Sequence, residues 1–408
     1  MKSTWMNAWI HSFAWIVGPG ALAATTLLSG QSFNPAHAQE PFKAGMILVG
    51  PSQDGGWNQA HFEATDYVKS KLPGVTFEYV DKVNPADRPN VKGSQVADDL
   101  IANGAKLVIF NSDDFKDDAL ATAKKHPEVS VIHVSGDYAW ADGKNFKDQP
   151  NLSNVQPQME YTRMISGCAA ALGTESGKIG FLGPLINDET RRYVSAAYLG
   201  ARHCWQNYRQ KDPADLEFKV VWIGFWFNIP GVTLDPTKVA DDFYNGGYDV
   251  VMSGLDTPEA AVQGKKAAEA GKPVKFTHYG LKTGCELAPD ICLGVPYYNW
   301  GPAYKTAVET ASQGTFKSEF IWSAIDWQDI NNPDTTGAGF VPGAALSEEQ
   351  SQQLTQFIAE LAKDPNFLYQ GPLNYQDGTE FIQAGETATL SQIWYMPQLV
   401  EGIEGPSQ

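Results

Sequence analysis

The chain has 408 residues and a formal net charge of −17, with 43% hydrophobic and 12% aromatic residues. That composition is that of a well-cored globular protein of two or three domains and excludes a disordered chain. So acidic a balance argues against nucleic acid or an anionic membrane surface as a partner.

With His neutral, Lys2 is the only charged side chain before Glu40, and the apolar stretch AWIVGPGALAATTLL runs on to AHA at 36–38. A short apolar core followed by A-x-A predicts a secretory signal cleaved after Ala38, residues 1–38 being removed. A membrane anchor would need roughly 18 or more apolar residues without such a cut site. LLSGQ carries no Cys, so the lipid-bearing thiol of a lipoprotein is lacking. The expected location is the periplasm.

From residue 44, short apolar runs alternate with amphipathic ones. Strands are predicted at MILVG (46–50), TFEYV (76–80), LVIF (107–110) and VSVIHV (129–134), with helices near 57–71, 92–103 and 115–126. Strands of this kind separated by helical periods mean βαβ units and a parallel sheet. The order recurs from 178: KIGFL (178–182), a helix near 189–209, FKVVWI (218–223), a helix near 235–245, YDVVMS (248–253), a helix near 258–270 and VKFTH (274–278). VADD at 96–99 returns at 239–242, NGA at 103–105 as NGG at 245–247, and GP at 50–51 as GP at 183–184. In the same order, these matches predict two similar open α/β lobes, followed by helices at 300–313 and 347–363 and a Gly/Pro-containing tail.

Ligands of open parallel sheets sit beyond the carboxyl ends of the strands. Two such lobes facing each other enclose one cleft, closed by a hinge motion. The loops to examine are then 51–57, 111–118, 135–140, 184–188, 224–231, 254–257 and 279–287. The first holds Asp54, Trp57 and Asn58, with Gly55 and Gly56 leaving room for close approach; a helix cap is the competing reading of Asp54. The second-lobe loop WIGFWFNIPG (222–231) has four aromatics in six residues, more than a strand must bury. One aromatic from each lobe suits a flat heteroaromatic ring, although sugars also lie on Trp faces. Asp117, Asp118 and Asp256 are candidate hydrogen-bond acceptors, with helix capping as the alternative.

Cys168, Cys204, Cys285 and Cys292 predict two disulfides in an oxidising compartment: Cys285 with its near neighbour Cys292, and Cys168 with Cys204 by elimination. No C-x-x-C or H-x-x-x-H spacing supports a metal site, and no nucleophile elbow, P-loop or H-E-x-x-H supports catalysis. No cofactor is expected.

The stretches DGGWNQAHFEA, AKKHPEVSVIHVSG, ESGKIGFLGP, VVWIGFWFN, DTPEAAVQGKKAAEAG, APDICLGVPYYNWGPAYK and MPQLVEGI resemble the basic membrane protein family of ABC-transporter solute-binding proteins, over roughly 44–402. The resemblance implies a two-lobed, hinged type I periplasmic binding protein that hands a nucleoside-like ligand to an ABC permease in the inner membrane. It implies that Trp57, in the D-x-x-F/W-N motif with Asp54 and Asn58, stacks on one face of a purine, and that Trp226 opposes it. It also maps an aspartate onto Asp117, with Asp118 close behind, and a glycine onto Gly254 beside Asp256. Two departures bear on ribose: LKTG (281–284) stands where the family's purine nucleoside receptors carry an acid, and Tyr298 lies near where they carry a lysine. Tyr298, Asn299 and Trp300 are alternatives there, so a nucleobase stands beside a nucleoside as the expected ligand.

The expected lobes are 42–156 with about 297–320, and 157–296 with about 321–408. Crossings are expected near 155–157, 295–298 and 318–324, and the protein is read as a monomer. The alternatives are an exported nucleoside hydrolase, a receptor for riboflavin or a sugar, and a ligand-sensing module that docks on a receptor.

Overall fold

A computed structural model describes residues 41–408 as one compact unit; the expected signal segment 1–38 lies outside the described residues. In chain order the first part is β1 (Phe42–Ile47), α1 (Trp57–Lys71), β2 (Val75–Val80), α2 (Gly93–Ala102), β3 (Leu107–Phe110), α3 (Lys116–Lys125), β4 (Ser130–Val134) and β5 (Leu152–Pro157). There follow α4 (Met159–Gly173), β6 (Lys178–Gly183), α5 (Asp188–Asn207), β7 (Glu217–Trp222), α6 (Pro236–Asn245), β8 (Val250–Ser253), α7 (Glu259–Glu269), β9 (Lys275–Thr277) and β10 (Cys292–Tyr298). Last come α8 (Gly301–Ser312), β11 (Phe320–Ser323), β12 (Ala338–Pro342), α9 (Glu348–Lys363), β13 (Leu373–Asn374), β14 (Glu380–Ile382), α10 (Leu390–Trp394) and β15 (Ile403–Glu404).

The strands form two sheets with helices packed on them, the two lobes of a type I binding-protein fold. One sheet has the order β11-β5-β4-β3-β1-β2, the other β12-β10-β9-β8-β6-β7-β15, and β13 and β14 form a small antiparallel pair. All pairings in the first sheet are parallel; in the second, only β12 runs antiparallel. The chain changes sheets after β5, after β10 and after β11. The core strands are the apolar runs of the sequence: all four residues of β3 and of β8 are buried, as strands covered on both faces require.

Three elements depart from the expected pattern. The first strand covers 42–47 instead of 46–50: Phe42, Lys43 and Ala44 pair with Val75, Thr76 and Phe77, and the Lys43 ammonium escapes to the Asn103 carbonyl at 2.9 Å. β5 reads LSNVQP, polar yet wholly buried, because each polar side chain finds a partner inside: Ser153 Oγ donates to the Lys317 carbonyl (2.8 Å), Asn154 Oδ1 accepts from Ala139 N–H (2.7 Å) and Gln156 Nε2 donates to Tyr193 Oη (2.5 Å). α4 is buried along its whole length and so has no polar face for periodicity to detect.

α4 and α5 approach closely because Gly167 sits against the Ala197 carbonyl and Gly200 against that of Met164, leaving no room for a Cβ at either crossing point. Cys168–Cys204 staples the same two helices, and Cys285–Cys292 closes a short loop before β10. The Gly/Pro-containing tail is folded: α10 packs on α5, and β15 extends the second sheet beside β7.

Candidate ligand site

The carboxyl ends of the parallel strands of both sheets meet. After β1, the loop DGGW enters α1 with Gly55 at φ +78°. Asp54 accepts from the N–H groups of Gly56 (2.9 Å), Asn58 (2.9 Å) and Gln59 (3.0 Å) and from the Asn58 amide (2.8 Å). It therefore caps α1, satisfying donors that a helix start leaves orphaned. Asn58 is equally committed: its Oδ1 accepts from Gly50 N–H (3.0 Å) and Asn111 Nδ2 (2.9 Å).

This network aims Trp57. Its indole Nε1 donates to the Asn111 carbonyl at 2.8 Å, while Tyr298 and Trp300 meet it edge-on at centroid distances of 5.0 and 5.3 Å. Trp300 is itself sandwiched between Tyr298 (4.8 Å) and His61 (4.1 Å). Tyr298 and Trp300 thus buttress Trp57 from behind instead of lining the space in front of it.

That space is a narrow inner cavity bounded by Trp57, Ser112, Asp113 and Ser135 from the first lobe and by Glu189, Trp226 and Asp256 from the second. The lobes are closed: His278 Nε2 hydrogen-bonds the Gly55 carbonyl at 3.0 Å, and Gly280 approaches the Gly56–Trp57 backbone. In this arrangement the cavity measures about 10 Å³, room for a single water, so a ring enters only with the lobes parted.

The chemistry of the wall is acidic and dry. Asp256 is 3% exposed, and burial followed by the nearby carboxylates of Asp54 and Glu189 pushes its pKa well above the usual range. Burial raises Glu189 to about 7 against the pull of Arg192, and raises Asp113 against Lys116. Trp226 Nε1 is buried with no hydrogen-bond partner among the described residues. Two indoles, a set of buried carboxyl groups and one unmatched N–H can grip a flat heterocycle that carries both donors and an acceptor.

Of the residues expected at the site, Trp57, Trp226 and Asp256 are brought together. Asp117 and Asp118 are not. The turn after β3 presents Asp113 instead, and one turn later Asp118 accepts from Gly93 N–H (3.2 Å) and Ser94 Oγ (2.6 Å) at the start of α2, while Asp117 accepts from Tyr138 (3.0 Å) on the surface. Gly254 packs within the second lobe, where a Cβ would lie 2.6 Å from the Phe181 ring. Asp113, Ser135 and Glu189 were missed as single residues, although Asp113 and Ser135 closely follow strand ends and Glu189 stands in the first turn of the helix that follows β6.

Two facing α/β lobes with an aromatic, acid-lined cleft define a solute-binding protein. The chain belongs to the family of PnrA-like ABC transporter substrate-binding proteins, whose sequence model matches residues 42–318. It is 27% identical over 379 residues to a purine-binding protein of Brucella abortus, covering 90% of this chain and 95% of that one. Among solved structures, a solute-binding protein of an ABC transporter system from Aeropyrum pernix aligns with a TM-score of 0.59 at 13% identity, over 82% of this chain and 93% of that one. A second, from Conexibacter woesei, gives 0.56 at 16% identity, over 79% and 97%. These two establish the fold alone. Among the described residues, no helix is long and apolar enough to cross a membrane and no cluster of metal-ligating side chains occurs.

Proposed function

We propose that this chain is the exported receptor of an ABC importer and takes a purine nucleoside or nucleobase between its lobes. The observation that carries the reading is the pairing of Trp57 and Trp226, one from each lobe, on a single cavity with the buried Asp256 carboxyl. Indole faces stack on a purine irrespective of its substituents, and the carboxyl group recognises ring or exocyclic N–H groups. The purine-binding relative in Brucella abortus supports the same ligand class. The lobes are then 42–156 with about 297–320, and 157–296 with about 321–408, in a periplasmic monomer cleaved after Ala38.

The test is calorimetry and thermal shift on the mature protein with nucleobases, nucleosides, riboflavin and sugars. Saturable binding of purine compounds is expected, and stabilisation by sugars alone overturns the reading. Chromatography of the same nucleoside mixtures after incubation separates a receptor, which returns them intact, from a hydrolase, which releases free base.

A further inference from the structure

Beside the inner cavity, and sharing Asp113, Ser135 and Glu189 with it, lies a polar compartment of about 330 Å³. The loop after β4 contributes Asp137, the start of α5 contributes Asp188, and the C-terminal segment contributes Trp394 and Tyr395. That segment lies beyond residue 318, where the family match ends. It is moored to the second lobe by β15 and by the Arg191 guanidinium, whose Nε donates to the Met396 carbonyl at 2.7 Å.

From this mooring Tyr395 reaches across to the first lobe. Its hydroxyl donates to Asp137 Oδ2 and accepts from Lys144 N–H (2.7 Å), and its ring lies parallel to Trp140 at a centroid distance of 5.6 Å. Asn145 Nδ2 donates to the same Asp137 oxygen at 2.9 Å. Both protein donors therefore engage Oδ2, and Oδ1 takes neither. A carboxylate fixed through one oxygen at the wall of a polar compartment is arranged to accept from ligand hydroxyls through the other.

We propose that this compartment is a second subsite of the cleft, taking a neutral hydroxylated substituent such as a ribose, with Asp137 as its acceptor and Tyr395 as the residue that positions Asp137. The inference rests on the purine reading and decides between its two ligands in favour of the nucleoside. A phosphorylated substituent is disfavoured: the carboxyl groups of Asp113, Asp137, Asp188 and Glu189 outnumber the cations Lys116, Arg191 and Arg192 that border the same compartment. Arg191 is not available to offset the carboxyl groups, its nitrogens being committed to Asp188 and to the carbonyls of Met396 and Ser407.

The experiment is calorimetry of the wild type, Asp137→Asn and Tyr395→Phe with adenine, adenosine and adenosine monophosphate, and with the guanine series. The wild type is expected to bind nucleoside roughly tenfold or more tighter than base, a margin of about 1.4 kcal/mol, and the monophosphate more weakly than the nucleoside. Each variant is expected to lower the nucleoside-to-base affinity ratio by about the same factor. A merely structural Tyr395 would weaken both ligands together and leave that ratio unmoved, which overturns the proposal, as does tighter binding of the monophosphate. Base binding with no preference for nucleoside in the wild type overturns the subsite alone; binding of no purine compound overturns the purine reading and the subsite with it.

Discussion

The backbone carbonyl of Asp256 fills the space that a Cβ on Gly56 would need, so the two lobes meet main chain to main chain at the head of α1. This explains the glycine pair before Trp57: Gly55 adopts a left-handed φ, and Gly56 lets the opposite lobe in. Within its own lobe a methyl group at 56 has no such obstacle. Gly56→Ala is therefore expected to hold the cleft ajar, weakening ligand binding by roughly tenfold or more, about 1.4 kcal/mol, with little change in the melting temperature of the free protein. Calorimetry and small-angle scattering read the two effects; full affinity in the variant would mean that ligand is held without this contact.

Trp57 and Trp226 make separable contributions. Trp57→Ala removes a stacking face and should cost on the order of 1–3 kcal/mol of binding. Trp226→Phe keeps an aromatic face but removes the buried Nε1–H that has no protein partner; if that group meets a ligand acceptor, the loss is about 0.5–1.5 kcal/mol. Unchanged affinity in Trp57→Ala would make it a core residue and nothing more.

Glu160 provides a test of pH dependence away from the site. It is wholly buried between α4 and α5, both carboxyl oxygens lack a hydrogen-bond partner among the described residues, and Arg192 Nε approaches only to 3.8 Å. Burial outweighs Arg192 and raises its pKa from 4.5 to about 7. Between those values the unfolded chain has released the proton that the folded protein still holds. This group therefore costs increasing stability as pH rises from about 4.5 to 7, and the cost is complete above 7. Glu160→Gln removes it, so the melting temperature of the variant relative to the wild type should climb from pH 5 to pH 8. A difference that stays level or falls over that range would contradict the assignment.

The Cys168–Cys204 bridge spans 36 residues of sequence and joins the two most closely packed helices of the second lobe. Loop-closure entropy for a cross-link of that span is worth roughly 3–4 kcal/mol. Paired replacement by Ala should lower the denaturant midpoint by a corresponding amount while the Cys285–Cys292 loop is retained. A shift of only a few tenths of a kcal/mol would show that α4 and α5 are held by their packing alone.

Legibility of the fold followed local chemistry. The alternating runs from 44 to 155 and from 178 to 278 became strands and helices in both sheets because each has an apolar period of its own. β5 did not stand out because Ser153, Asn154 and Gln156 are polar residues whose hydrogen-bond partners lie far along the chain, and α4 did not because it has no exposed side. At the site, Trp57, Trp226 and Asp256 could be found because strand ends mark clefts in open sheets. Tyr395 could not: it meets Asp137 across a separation of 258 residues, from a tail whose docking on α5 depends on the finished second lobe.

The position of β11 has a consequence for how the protein comes into being. The second sheet's strands β6 to β10 arrive as one unbroken stretch of chain, whereas the first sheet lacks its edge partner for β5 until residues 320–323 have emerged. A chain delivered N-terminus first therefore begins one lobe, builds the central strands of the other, and only then returns to finish the one it began. The polar strand β5, with Ser153 awaiting the Lys317 carbonyl, stays open through that interval. Completion of the lobe that carries Trp57 is thus a late event in biosynthesis, although its residues are among the earliest to appear.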